Sequence, residues 1–247
     1  MAANSWLNPA LKAADYAPVY ARDGVVQIEN LFPRQVADAL ENILAKATPW
    51  SLVHADPAGK HVIIPPERLA GMAPEALRGL IAQVTAQAAS AFSYLYFVYP
   101  MIDAYLDGRD PGHPLNGLTE FLNSPEFMRF VHEVTGEPVT KVDAQATYYR
   151  PGHFLSQHDD LGVGERRAAY TIGLTRTWRP DWGGQLMFHD QAGDVVRGLL
   201  PRFNVLTLFK VPLLHSVAPV APYAAGPRFM ITGWLRDDPP IGGTAAG

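Results

Sequence analysis

Hydrophobic residues follow two different patterns along the chain, and the change comes near residue 138. Before it, apolar residues recur mainly every three or four positions, which is typical of amphipathic helices. After it, short apolar runs are separated by residues that favour turns, which is typical of strands. Helices followed by many short strands predict an α+β fold whose strands close into a barrel or a sandwich.

The first half is predicted to be helical support around one hairpin. Residues 1–23 form an N-terminal arm or short helix, and residues 24–138 are mainly helical. A strong turn signal joins two strands into a hairpin over 51–64. From Pro74 to about Tyr99 the spacing predicts one helix, whose aromatic second half is expected to pack beneath the sheet. The other predicted elements are a strand at 25–28, a helix after Pro33 and one or two helices over 116–134.

Residues 139–236 are predicted to form the core barrel strands, followed by a tail at 237–247. We find no internal repeat and no obvious linker, so we predict a single domain over residues 1–247. The predicted strands are 139–149, 154–160, 168–175, 185–189, 195–199, 203–211 and 228–236.

Composition narrows the chemistry that this fold can carry. The chain has no cysteine, so any metal site must use His, Asp or Glu. A formal net charge of −4 argues against nucleic-acid binding through a basic face. No apolar run reaches the roughly 18 residues of a membrane helix, and no secretory pattern opens the chain. We therefore expect no nucleic-acid or membrane partner and a cytoplasmic location.

One histidine stands in a context that suits a metal. His158 and Asp160 are two residues apart, and on a strand such residues point to the same face. His215 follows a later apolar run and is the best candidate for a second imidazole. Two histidines and one carboxylate leave open positions on non-heme iron(II). By itself, the His-x-Asp pair also fits a turn in which Asp159 or Asp160 caps backbone amides.

The second candidate feature is an arginine at the start of the last strand. Arg228, Met230, Thr232 and Trp234 alternate onto one face of that strand. An arginine inside a barrel is costly without an anionic partner, and a dicarboxylate ligand provides one. Tyr149 ends an earlier strand, and its hydroxyl is a candidate to share that carboxylate. The alternatives are an arginine that reaches water and a tyrosine that only packs in the core.

Taken together, these residues resemble the Fe(II)/2-oxoglutarate-dependent dioxygenases, and within them the prolyl-hydroxylase branch. The resemblance is clear over about 116–236. Within the branch, this stretch is similar to the catalytic domain of ribosomal prolyl hydroxylases of the Ofd/Tpa type. The residues that carry it are Tyr149, His158-Asp159-Asp160, Arg166-Arg167, Trp182-Gly183-Gly184-Gln185-Leu186, His215, Arg228 and Gly233-Trp234.

This resemblance implies a fold and a set of roles. The fold is a double-stranded β-helix, a jelly-roll or cupin-like barrel, buttressed by the N-terminal helices. His158, Asp160 and His215 are the implied catalytic iron ligands, and Arg228 with Tyr149 binds the distal carboxylate of 2-oxoglutarate. The implied cofactor and cosubstrates are Fe(II), 2-oxoglutarate and O2, with ascorbate as a supporting reductant.

The implied reaction is hydroxylation of a prolyl residue in a protein or peptide, coupled to decarboxylation of 2-oxoglutarate to succinate. Two alternatives stay open. One is the same chemistry on a free amino acid or a natural-product small molecule. The other is a non-catalytic barrel that senses 2-oxoglutarate or acts as a scaffold. The substrate, the hydroxylated carbon and the oligomeric state are not predicted, and a homodimer is one option.

Two positions depart from the family pattern. Family members often carry a serine two residues after the arginine, where this chain has Met230, and Thr232 is expected to substitute for it. Some relatives carry a second tyrosine on the strand after the His-x-Asp pair. The nearest equivalent here is Gly173, with Tyr170 three residues earlier.

Several other side chains have both a functional and a structural interpretation. His54 and His61 flank the hairpin turn, and we expect a mobile loop in which the histidines have no direct role. His153 is a weaker iron-ligand candidate than His215 because it shares a hairpin with His158. Arg150 and the pair Arg166-Arg167 either attract a substrate or lie on a solvated turn.

Overall fold

The computed structural model describes residues 6–161 and 165–239. The helices in these ranges are α1 (Ala17–Asp23), α2 (Arg34–Lys46), α3 (Pro66–Ala70), α4 (Pro74–Gln87), α5 (Met101–Leu106), α6 (Leu115–Leu122) and α7 (Pro125–Thr135). The strands are β1 (Val25–Glu29), β2 (Ser51–Ala55), β3 (His61–Ile64), β4 (Tyr94–Tyr99), β5 (Lys141–Val142), β6 (Gln145–Tyr149), β7 (Phe154–His158), β8 (Arg166–Gly173), β9 (Leu186–His189), β10 (Val195–Leu199), β11 (Val205–Lys210), β12 (His215–Val217) and β13 (Arg228–Arg236).

These strands join into one curled antiparallel sheet. Neighbouring strands follow the order β1-β11-β8-β13-β6-β4-β7-β12-β9-β10, while β2 pairs with β3 and β4 and β5 pairs with β13. The sheet closes into the half-barrel of a double-stranded β-helix with helices against it, which confirms the predicted fold class.

The main hydrophobic core lies between the helices and the outer face of this sheet. Tyr170 and Ile172 of β8 are buried in it together with Phe127 of α7. Ala169 and Thr171 alternate with them and face the barrel interior instead. The period of two along β8 therefore turns Ile172 to the core and Thr171 to the cavity, while Tyr170 packs in the core and also borders the cavity.

Local signals in the sequence mark the two ends of α7. The Ser124 hydroxyl accepts a hydrogen bond from the backbone N–H of Phe127 at 3.3 Å, and Pro125 occupies the first turn. Gly136 follows the helix with a φ of 73°, in the left-handed conformation that glycine adopts without a steric penalty.

The helix predicted from Pro74 to Tyr99 is wrong in its second half. α4 ends at Gln87, and residues 94–99 form β4, which pairs with β2, β6 and β7. Aromatic and β-branched residues favour strands, and here they alternate. Tyr96 and Val98 pack in one hydrophobic cluster, whereas Leu95 packs in another. The aromatic residues therefore form part of the sheet and do not pack beneath it.

The other predicted elements are confirmed with small shifts at their ends. The hairpin is β2 and β3, the helices over 116–134 are α6 and α7, and each predicted barrel strand has a counterpart, although the one over 139–149 is divided into β5 and β6. Neither the short helices α3 and α5 nor the strand β12 was predicted. The domain boundaries stay predictions, and residues 1–5 of the arm and 240–247 of the tail lie outside the described residues. In the described part of the chain, no helix has the length and apolar content needed to cross a bilayer.

Replacing Gly173 with alanine is expected to lower the free energy of unfolding by about 2 kcal/mol or more, the upper range for an overpacked interior. A Cβ atom there would lie 1.9 Å from the carbonyl oxygen of Arg202. The adjoining chain is tied in place, because the backbone N–H of Asn204 donates to the carbonyl of Gly173 at 2.6 Å. Denaturant unfolding measures the change.

The matched control for this experiment is Gly79→Ala in the exposed part of α4, where a Cβ meets nothing within 4 Å. That change is expected to raise stability by about 0.5–1 kcal/mol. A Gly173→Ala protein as stable as the wild type would contradict the packing described here.

Candidate active site

Two histidines and one aspartate converge at one end of the barrel. The Nε2 atom of His158 lies 3.6 Å from Oδ1 of Asp160, and Nε2 of His215 lies 3.5 Å from Oδ2 of the same carboxylate. One ligand atom from each residue falls within 4.8 Å of the others. These are the three metal ligands that the sequence predicts, and the structure brings all three together.

Strand pairing places the two imidazoles. β12 runs antiparallel to β7 with His215 directly opposite His158, and the ring centroids are 4.1 Å apart. Histidines 57 positions apart in the chain therefore become neighbours through one register.

The aspartate reaches the site by a different route from the predicted one. The prediction placed His158 and Asp160 on one strand face, but β7 ends at His158. Asp160 lies beyond it with a φ of 62°, in the left-handed region that aspartate tolerates better than most residues. The turn, and not the alternation of a strand, aims the carboxylate back toward the imidazoles.

Both histidines present the nitrogen that a metal needs. Nδ1 of His158 lies 2.9 Å from the carbonyl of Ser156, and Nδ1 of His215 lies 2.7 Å from the carbonyl of Leu213. A carbonyl only accepts hydrogen bonds, so each Nδ1 carries the proton and each Nε2 keeps a free lone pair. Burial, helped by the nearby His158, lowers the pKa of His215 to about 4, so this imidazole is neutral at neutral pH. The donor set therefore fits an Fe(II) ion with open positions.

Arg166 supports the carboxylate from the far side. Its guanidinium Nη1 lies 3.6 Å from Oδ1 of Asp160, and its Cζ lies 3.5 Å above the ring of Trp234. The sequence left this arginine open between a substrate-attracting group and a solvated turn. The structure makes it a largely buried neighbour of the metal site, whereas Arg167 is on the surface and pairs with Asp237.

The three candidate ligands lie in a cavity of about 520 Å³. Aromatic and aliphatic groups form most of its wall, with polar groups at a few points. Other residues on its wall are His61, Phe92, Tyr94, Tyr96, Gln145, Thr147, Tyr149, Leu155, Arg166, Ala169, Tyr170, Thr171, Leu186, Phe209, Val217, Arg228, Thr232, Gly233 and Trp234.

Arg228 is a buried cation on this wall. It is 2% exposed, its Nε–H donates to the carbonyl of Gly184 at 2.6 Å, and its Cζ lies 4.7 Å from the ring centroid of Tyr149. Burial lowers its pKa to about 10, so the guanidinium is still charged at neutral pH. Among the described residues, no carboxylate lies within ion-pair distance of it. A buried, uncompensated cation is costly and favours an anionic ligand.

The Trp-Gly-Gly motif makes room for this arginine. Gly184 has a φ of 67°, and a Cβ there would lie 3.0 Å from Cδ of Arg228. A Cβ at Gly183 would lie 2.0 Å from the carbonyl oxygen of Pro219. The two glycines are thus required by close approach, which explains this part of the motif.

The sequence of this site matches a known family. Residues 144–236 match the family model of the 2OG-Fe(II) oxygenase superfamily. The chain carries a 2OG-Fe(II) oxygenase domain. It is a dioxygenase whose cofactor is Fe(II) and whose cosubstrates are 2-oxoglutarate and O2, which confirms the predicted enzyme class and cofactors. The narrower likeness to the Ofd/Tpa type stays a prediction.

Solved structures of oxygenases share the fold. The chain is similar to a prolyl-4-hydroxylase of Pseudomonas putida, with 18% identity and a TM-score of 0.57 over 92% of this chain and 100% of that one. It is similar to a 2OG-Fe(II) oxygenase family oxidoreductase of Burkholderia pseudomallei, with 16% identity and a TM-score of 0.62 over 94% of each chain. A prolyl hydroxylase of Trichoplax adhaerens, in complex with a hypoxia inducible factor peptide fragment, has 16% identity and a TM-score of 0.60 over 91% of this chain and 89% of that one. At these identities the likeness establishes the fold. No curated protein sequence matches the chain.

The other predicted cosubstrate residues of this oxygenase domain also face the cavity. The ring of Tyr149 stacks on that of Tyr96 at 5.0 Å, and burial raises the pKa of Tyr149 well above its ordinary value, so it stays a neutral phenol. Thr232 Oγ1 accepts a hydrogen bond from Nε2 of Gln145 at 3.4 Å. Their part in cosubstrate binding stays a prediction.

A polar row that was not predicted from the sequence crosses the sheet. Gln145, Thr232, Thr171, Thr207 and Gln27 stand opposite one another in register on β6, β13, β8, β11 and β1. The row continues the cavity wall into a small polar recess behind Arg228. Alternate Thr and Gln positions in otherwise apolar strands were the available signal, but only the register shows that they align.

The hairpin histidines lie closer to the oxygenase site than expected. His61 lines the cavity, and its Nδ1 lies 2.8 Å from the hydroxyl of Tyr94, while Phe92 lies against the ring of His158 at 5.4 Å. His54 is buried and its Nδ1 lies 3.0 Å from the carbonyl of Ala55, so it is not an exposed surface residue. Whether the hairpin moves as a lid stays a prediction.

His153 does not join the metal ligands. It is buried between the rings of Phe97 and Tyr149, and its Nδ1 contacts no hydrogen-bond partner among the described residues. Arg150 also packs on Phe97, with its Cζ 5.8 Å from the ring centroid. These two residues therefore form part of the packing beside β4.

Burial lowers the pKa of His153 to about 4 from an ordinary value of 6.5, and this has a measurable consequence. Between these pH values His153 binds a proton in the unfolded chain but not in the folded protein. The free energy of unfolding therefore falls as pH falls from about 6.5 to 4. At about 1.4 kcal/mol per pKa unit, His153 accounts for about 3 kcal/mol of that loss.

Denaturant unfolding of the wild type and of His153→Leu at several pH values measures the part of this stability loss that is due to His153. The variant is expected to lose less stability than the wild type between pH 7 and pH 4. His215 titrates in both proteins, so the difference isolates His153. Equal slopes would show that His153 is not buried as a neutral imidazole.

Proposed function

We propose that this dioxygenase hydroxylates a prolyl residue in a protein or peptide and converts 2-oxoglutarate to succinate and carbon dioxide in the same reaction. His158, Asp160 and His215 hold Fe(II), and Arg228 with Tyr149 and Thr232 holds the distal carboxylate of 2-oxoglutarate. Bound Fe(II) supplies the oxygen-activating chemistry. The observation that carries the proposal is a buried guanidinium that has no carboxylate partner among the described residues and lies in the same cavity as the His-Asp-His set.

The residues of the chain account for binding and orientation. The guanidinium of Arg228 offers paired N–H donors that match a carboxylate, and the phenol of Tyr149 adds a donor from the neighbouring strand. Arg166 pairs with Asp160 and holds the turn that carries this carboxylate. The mostly apolar wall limits water around the reacting groups.

The space around the first cavity favours a substrate that extends past it. A second cavity of about 300 Å³ shares two wall residues, Gln145 and Trp234, with the first. A free amino acid does not need this second space, whereas a polypeptide that continues on either side of a prolyl ring does. Phe92 and Trp234 present aromatic surfaces on which such a ring can pack. The peptide bound to the Trichoplax prolyl hydroxylase, a protein of the same fold, supports the same choice.

The cosubstrate site is tested by anaerobic titration of metal-free protein with Fe(II) and 2-oxoglutarate, following the visible charge-transfer band of the chelate. His215→Ala is expected to lose the band because one of three ligands is gone. Arg228→Met is expected to need at least about 100-fold more 2-oxoglutarate, since a buried charge pair is worth about 3–5 kcal/mol. Arg22→Met is the matched control, because Arg22 is exposed and, within residues 6–161 and 165–239, forms its ion pair with the neighbouring Asp23. A wild type without a band would remove the proposal.

The substrate class is tested by turnover. Proline-containing peptides are expected to gain one oxygen atom for each succinate formed, as measured by mass spectrometry. Phe92→Ala should lower kcat/KM for the peptide about 10-fold through lost packing at the cavity mouth, with the affinity for 2-oxoglutarate unchanged. Tyr223→Ala, an exposed aromatic outside the cavity, is the control. Oxidation of free proline but not of peptides would favour the small-molecule alternative, and a bound cosubstrate without any turnover would favour a scaffold.

A further inference from the structure

The hydroxyl of Thr147 on β6 is buried and unpaired within the described part of the chain. Thr147 is 2% exposed, and its Oγ1 has no hydrogen-bond partner among the described residues. Buried hydroxyls nearly always have a partner, because an unsatisfied one costs free energy. Thr147 lines the cavity that holds the candidate iron ligands, so its side chain borders the space that a bound molecule would occupy.

Strand register places this hydroxyl beside the buried arginine. On β6 and β13, Tyr149 stands opposite Arg228, and Thr147 stands opposite Met230. Thr147 and Arg228 are thus diagonal neighbours on one face, a relation that separates their backbones by about 7–8 Å. A carboxylate that accepts one hydrogen bond from each side spans such a gap, since each bond is about 2.8 Å long.

Met230, two residues after Arg228 on β13, cannot donate a second hydrogen bond to a carboxylate that Arg228 binds. The thioether is at best a weak acceptor and donates nothing to a carboxylate. From the sequence, Thr232 on the same strand is the expected substitute for the missing serine. Its hydroxyl accepts a hydrogen bond from Gln145 and lies two residues further along β13 than Met230. A second hydroxyl, that of Thr147 on β6, stands opposite Met230 and is nearer in register to Arg228.

We propose that Thr147 donates a hydrogen bond to the distal carboxylate of the 2-oxo acid that Arg228 binds, and that it sets the preference of this enzyme for a dicarboxylic 2-oxo acid. This inference rests on the proposed function. The guanidinium supplies charge, while the hydroxyl from the neighbouring strand fixes the carboxylate in place. Loss of the hydroxyl therefore weakens binding of the dicarboxylic acid and leaves a monocarboxylic one unaffected.

The first test compares two 2-oxo acids in the anaerobic Fe(II) titration. Thr147→Val should raise the half-saturating concentration of 2-oxoglutarate by about 10- to 100-fold, the range for a hydrogen bond to a charged group. Binding of 2-oxopentanoate, which has the same chain length without the distal carboxylate, should stay within twofold. Thr147→Ser should restore 2-oxoglutarate binding.

A matched control is Thr119→Val, because Thr119 is equally buried but lies in α6 and donates to the carbonyl of Leu115. That variant should bind both acids like the wild type. If Thr147→Val binds 2-oxoglutarate like the wild type, or weakens both acids equally, the inference is wrong. A wild type that binds neither acid instead removes the proposed function itself.

The second test separates binding from structure in the metal-free protein. Thr147→Val keeps the shape of the side chain and removes an unsatisfied hydroxyl, so its thermal midpoint should equal or exceed that of the wild type. Thr119→Val should lower the midpoint because it removes a hydrogen bond that is made. A lower midpoint for Thr147→Val would show that the hydroxyl has a structural partner and would overturn the inference.

Discussion

The pairing of β7 with β12 is the constraint on which the active site depends. It places His158 opposite His215 and leaves only the carboxylate to be supplied by the turn that follows β7. A shift of one residue would send one imidazole to the other face of the sheet. β4 lies between β7 and β6 in the sheet, so the strand that was predicted as a helix also connects the candidate metal ligands to the wall that carries Tyr149.

The two faces of the sheet have different roles. The outer face and the helices form the main core, and the inner face carries the polar row, Arg228 and the candidate ligands. Arg228 is held by a backbone carbonyl and an aromatic ring, which satisfy part of its hydrogen-bonding capacity but leave its charge unbalanced. Folding therefore leaves a buried positive charge that an anionic ligand would balance. Packing of the helices on the sheet offsets the free energy that burying this charge costs.

The sequence was sufficient for whatever depends on residue type and order. The hairpin, the barrel strands, the three candidate ligands and the buried arginine all follow from apolar spacing and from the resemblance. It was insufficient wherever contacts across strands decide. The alternation in β4 was hidden by the helical pattern before it, and the aim of Asp160 depends on one left-handed residue. Likewise, the sequence does not show that the Thr147 hydroxyl lacks a hydrogen-bond partner among the described residues or that Thr147 stands opposite Met230.

The carbonyls of Ser156 and Leu213 have a consequence for how this enzyme can diverge. Because the groups that orient both imidazoles belong to the main chain, no side-chain replacement at those two positions removes them. The protonation pattern of the candidate metal site is thus inherited with the fold itself. Mutations are free to reshape the cavity wall and change the substrate, while the chemistry of the centre is passed on intact.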